Sequence, residues 1–145
     1  MNLEVTTLVD ENDGTWYPGW GTGQSLREAM EYANLHPGSD SIIFASGLSG
    51  TMTLNGTSLP DAQSDLTITG PGADVLAISG GSQSSILTVV GTSIQIIGLG
   101  FTGGRSIVGG ALTVATGASL TIDASDYNNN VATGNITTNG DGGAK

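Results

Sequence analysis

With thirteen acidic side chains against three basic ones in 145 residues, the chain carries a formal charge of −10 at pH 7. Three cations cannot neutralise a run of phosphates, so nucleic acid is excluded as a partner. No apolar run reaches the roughly 20 residues of a membrane-spanning helix, and the absence of cysteine removes disulfides, thiolate metal sites and thiol nucleophiles. The 24 glycines would suit a disordered chain, but alternating apolar segments recur throughout, so short packed strands joined by glycine turns are expected.

In chain order, residues 3–9 alternate as a first strand and 10–14 form an acidic turn. Asp10, Asn12 and Asp13 ahead of Gly14 look like the first half of a calcium loop, but Trp20 stands where the closing glutamate belongs. An Asx-rich turn explains them as well, so no metal is assigned and calcium is carried only as a candidate. Trp16, Tyr17 and Trp20 make an aromatic loop. It is either a stacking platform for carbohydrate or a protein partner, or an extension of the core.

Residues 25–34 are the one helix expected. Ser25 and Glu28 spell a capping box, and Leu26, Ala29, Met30 and Ala33 make one apolar stripe. Asn34 and His36-Pro37-Gly38 stop the helix. Arg27 is expected to bond back to the first turn or to Glu31. A helix of this length is marginal alone, so its stripe must cover apolar surface elsewhere.

Segments 42–44 and 51–54 read as short buried strands. From residue 66 the chain repeats: 66–70, 94–98 and 120–123 are one strand pattern written three times. A second series runs through 86–90 and 111–115. A third appears at 75–79 and is answered weakly around 106–108. Glycines 70, 72, 98, 100, 103 and 104 are placed at corners needing positive φ. This recurrence every 26–28 residues, about the length of one solenoid repeat, predicts an all-β, right-handed parallel β-helix with one N-terminal capping helix, in a single domain over 1–145. Residues 1–65 supply the cap and first turns, and 66–145 supply repeats open at the C-terminal end. An antiparallel sandwich is the competing all-β reading.

The run from Val5-Thr6-Thr7-Leu8 through Ser25-Leu26-Arg27-Glu28-Ala29-Met30 to Phe44, with Gly70-Pro71-Gly72-Ala73, Gly109-Gly110-Ala111-Leu112 and Tyr127-Asn128-Asn129-Asn130, resembles a known family. It is similar to the N-terminal Cys-Ser-Leu-Arg-Glu-Ala-Ile-type module of bacterial surface β-helix proteins, the polymorphic outer-membrane proteins and autotransporter adhesins. Gln24 stands where that family has its cysteine. The resemblance implies an exported, surface-displayed protein with structural or adhesive work and no catalysis. No signal segment precedes Asn2, so such a signal is absent or removed.

Gly142-Gly143-Ala144-Lys145 repeats the opening of Gly109-Gly110-Ala111-Leu112. The expected partner at that turn is the rest of a longer chain or another copy, with carbohydrate or a host surface as the adhesive target. Two further readings are carried: a polysaccharide lyase or hydrolase using Asp61, Asp65 and Asp74, and a self-assembling filament or matrix subunit.

Overall fold

The computed structural model describes residues 1–13, 21–90, 93–104, 112–115, 117–123 and 126–128. Eleven short strands and one helix follow in the order β1 (Asn2–Val5), α1 (Leu26–Leu35), β2 (Asp40–Phe44), β3 (Gly50–Thr53), β4 (Leu66–Thr69), β5 (Leu76–Ser79), β6 (Leu87–Val89), β7 (Ser93–Ile97), β8 (Gly100–Thr102), β9 (Leu112–Val114), β10 (Ser119–Asp123) and β11 (Asp126–Asn128).

They build three parallel sheets, ordered β1-β2-β4-β7-β10, β3-β5-β8-β11 and β6-β9. The expectation of an all-β right-handed parallel β-helix is therefore corrected. The described residues form a parallel-sheet α/β arrangement of three small sheets, with five, four and two strands, and a single helix. The recurrence in the sequence reports strand pairing, not a uniform coil. The pairing offset in the second sheet changes from 26 residues between β3 and β5 to 23 between β5 and β8, the third sheet is two three-residue strands, and the first crossover carries a helix.

The pairing itself follows the apolar pattern. Leu66 lies opposite Ile94 and Ile94 opposite Leu120, with Ile68 opposite Ile96, all in parallel register. Their interior side chains are buried, whereas Thr67, Gln95 and Thr121 alternate to the outer face. One core runs through all three sheets: Leu3, Ile42, Ile68 and Ile96 from the first, Met52, Ile78 and Phe101 from the second, Leu87 and Leu112 from the third. Asp40 interrupts an apolar column that Leu66 and Ile94 continue, and its Oδ1 lies 3.1 Å from the Met1 amino group.

β5 pairs with β8, and the 106–108 segment lies outside the described residues. The corner glycines divide into two kinds. Gly72, Gly98 and Gly103 have φ of +139°, +67° and +61°, the left-handed region expected of them. Gly70 and Gly100 do not, and are glycine because a side chain has no room. A Cβ on Gly70 would lie 2.4 Å from the Gly98 carbonyl oxygen, and one on Gly100 would lie 2.9 Å from the Ala73 carbonyl oxygen.

Candidate functional site: a side-chain seal on the first strand edge

Ser25 is the N-cap of α1, its Oγ accepting the Glu28 N–H while the Glu28 carboxyl accepts the Ser25 N–H. The helix ends one residue later than expected. Leu35 is its last residue, and His36 is the C-cap, stacked on the Tyr32 ring at 4.1 Å. Leu26, Ala29, Met30 and Ala33 are all buried, and the helix lies against β1. The apolar stripe thus covers the outermost strand of the five-stranded sheet.

The polar side chains flanking that stripe do something the sequence did not announce. Segment 54–63 follows β3, the outer strand of the second sheet. On one side it bonds to later backbone. Leu54 N–H donates to Ser79 O, Leu59 N–H to Ile86 O and Ala62 N–H to Thr88 O, at 2.8, 2.8 and 2.9 Å. On its other side no strand follows among the described residues, and side chains from the helix and the 10–13 loop take the bonds instead.

Arg27 does not bond to Glu31. Its Nε and Nη2 donate to the two Asp10 carboxylate oxygens at 2.8 Å each, a forked pair. Nη1 donates to Ser58 O at 2.8 Å and Nη2 also to Thr57 O at 3.0 Å. The Asp10 carboxylate, 1 % exposed, also accepts the Asn55 N–H at 2.9 Å, and the Asp10 carbonyl accepts the Asn55 side-chain amide.

Asn34 acts at the next corner. Its Nδ2 donates to Asp61 O at 2.8 Å and its Oδ1 accepts the Gln63 N–H at 3.1 Å. In a parallel ladder one residue brackets its partner by bonding the carbonyl before it and the N–H after it. Asn34 brackets Ala62 in this way with its carboxamide alone. Ala62 brackets Val89 on the other side through real backbone, and Val89 pairs with Val114. A single side chain therefore stands in for a strand. Asn34→Ala is expected to cost about 1–2 kcal/mol, one modest bond plus a polar group left short of a partner. Asn34→Asp, which keeps the acceptor and loses the donor, should fall between, as urea denaturation would show.

The other sequence candidates are placed as follows. Asp10 is bound to Arg27, the Asn12 amide donates to the Glu31 carboxylate at 2.9 Å, and the Asp13 N–H donates to Glu28 Oε1 at 3.1 Å. They serve the seal, and among the described residues no group of three or more acidic or histidine side chains could hold a metal ion. Asp61, Asp65 and Asp74 are exposed, and Asp65 Oδ1 accepts the Ser93 N–H at 3.2 Å. The Trp16, Tyr17 and Trp20 platform and the Gly142, Gly143, Ala144, Lys145 turn lie outside the described residues. No helix of the described residues is long and apolar enough to cross a membrane. Compared with family models, curated proteins and solved structures, the chain matches none.

Proposed function

We propose that this chain is a non-catalytic structural module of an extracellular, cell-surface protein. Its helix and 10–13 loop close the first edge of a set of parallel sheets, and the strands that follow are laid down in register on that closed edge. The observation that carries the reading is the carboxamide of Asn34 bracketing Ala62, supported by Arg27 on the Thr57 and Ser58 carbonyls. An exposed strand edge recruits other strands, and proteins blunt such edges with charge or a covering element. Here both devices meet on one ten-residue helix. The surface location rests on the resemblance of the 25–30 region to exported surface proteins.

The reading is tested by light scattering on the double variant Arg27→Ala/Asn34→Ala. With its edge unsealed, it should associate with rising concentration beyond whatever the parent does, while circular dichroism shows it still folded. A folded double variant whose size tracks the parent at every concentration would remove the sealing role.

A further inference from the structure

The turn that opens segment 54–63 holds a pair of residues whose chemistry the cap controls, and the inference drawn from them rests on the sealing role just proposed. Two requirements meet there. Gly56 has φ of +86°, backbone that favours glycine, while a Cβ on it would meet Gln83 Oε1, the end of a flexible side chain, at 3.2 Å. Residue 55 must offer an amide, because its Nδ2 donates to the Asp10 carbonyl while its N–H donates to Asp10 Oδ2 at 2.9 Å. The fold thus places an asparagine directly before a glycine.

That order exposes an asparagine to attack by its own chain. With no Cβ on the following residue, the following nitrogen reaches Cγ without hindrance. The Gly56 nitrogen loses its proton to hydroxide and attacks Asn55 Cγ. A C–N bond forms, the Cγ–Nδ2 bond breaks, and Nδ2 leaves as ammonia. Water then opens the cyclic imide at either carbonyl, returning a proton to the Gly56 nitrogen and leaving a carboxyl group. One water is consumed and one ammonia released, with no change of oxidation state.

In the closed cap this attack is opposed. Cγ must swing toward Gly56, but both nitrogens of Asn55 are tied to Asp10, and Arg27 holds Asp10 by two bonds of 2.8 Å. Once formed, the acid cannot take the place of the amide. A carboxylate accepts only, so the Asp10 carbonyl loses its donor, and a second negative charge lies beside the Asp10 carboxylate. Where the imide opens at the main-chain carbonyl, the backbone gains a carbon, which displaces the Thr57 and Ser58 carbonyls that Arg27 holds.

We propose that Asn55-Gly56 is a self-modification site guarded by the seal. The closed cap keeps the amide intact, and a cap left open converts it to an acid that prevents resealing. The unsealed edge along 54–63 then becomes permanent.

Conversion shows as a small mass gain at residue 55, which peptide mapping separates from the other asparagine–glycine pair, Asn139-Gly140. In mildly alkaline buffer, Asn55 of the folded parent should convert at least about tenfold more slowly than in the same chain unfolded in urea, a ratio set by how seldom the cap opens. Equal rates would overturn the guard, and this comparison needs no variant. Arg27→Ala, if circular dichroism shows it folded, should convert several-fold faster than the parent, whereas Asn34→Ala, which frees the 61–63 corner, should not. A folded Arg27→Ala converting at the parental rate would also overturn the guard. Asn55→Asp, the product with an unextended backbone, should lose amide protection at residue 55 by about tenfold or more while Ala62 stays slow. Parental protection there would overturn the claim that the acid prevents resealing. Protection at Gln63, which depends on Asn34, separates the two ideas. If it persists while Asn55 converts as fast as in urea, the seal stands and the guard does not; if it is lost in the parent as well, the sealing role itself falls.

Discussion

Replacing Arg27 with alanine is expected to lower the unfolding free energy by about 3–5 kcal/mol, the cost of leaving a buried carboxylate without its counter-charge. Asp10 is 1 % exposed and Arg27 13 %, so water cannot rescue the anion in the native geometry. The guanidinium also bonds the Thr57 and Ser58 carbonyls, and those acceptors would be stranded at the same time. Arg27→Lys should recover only part of the loss. An ammonium carries the charge but cannot reach two carboxylate oxygens and two carbonyls in one plane. The double variant Arg27→Ala/Asp10→Ala should be less destabilised than the sum of the two single changes, because the unpaired charge goes with its partner. Urea denaturation of the parent, the three single variants and the double variant measures all three effects. A loss below about 1 kcal/mol for Arg27→Ala would mark the pair as an ordinary surface ion pair.

The second large effect is expected at Gly70. A methyl group there would lie 2.4 Å from both the Gly98 carbonyl oxygen and Leu99 Cδ2, in a corner where Gly70 N–H donates to Ile97 O and Gly72 N–H to Gly98 O. The oxygen belongs to the neighbouring corner's backbone, so it cannot swing aside as a flexible side chain would. Gly70→Ala is expected to cost about 3 kcal/mol or more, the upper end of overpacking penalties. Gly47→Ala is the contrasting case: nothing lies within 4 Å of a Cβ there, and only its φ of +89° opposes a side chain. Its cost should be nearer 1 kcal/mol, that of placing a non-glycine residue in left-handed backbone. Thermal unfolding of the two variants separates crowding from backbone preference.

The helix was legible because all its information is local. The capping box occupies Ser25 and Glu28, and the buried stripe repeats at helical spacing within ten residues. The pairing of β4, β7 and β10 was legible for a different reason. The pattern is repeated three times at intervals of 28 and 26 residues, the separations at which Asp65, Ser93 and Ser119 are joined by hydrogen bonds. The overall architecture was not legible, since recurring segments show which strands pair and not how many sheets the pairs divide into. β8 was missed because Gly100-Phe101-Thr102 is three residues long and begins with glycine, which propensity reads as a turn. The seal was missed because its partners are distant in sequence. Asn34 read as a helix stop and Asp10 as part of a turn, and only the fold brings them to residues 55–63. One signal did exist. In a chain with three basic residues, a single arginine placed directly beside a buried stripe is short of competitors and surrounded by acids.

The claim that side chains replace a strand along 54–63 has a direct measurement in the unaltered protein: residue-resolved amide exchange along that segment. Leu59 and Ala62 donate to later backbone, whereas Asn55 and Gln63 donate to the carboxylate of Asp10 and the carboxamide of Asn34. If the seal is formed, all four amides should be protected, and Asn34→Ala should free Gln63 while leaving Ala62 slow. Asn55 and Gln63 exchanging at the rate of an open chain, beside a protected Leu59 and Ala62, would contradict it.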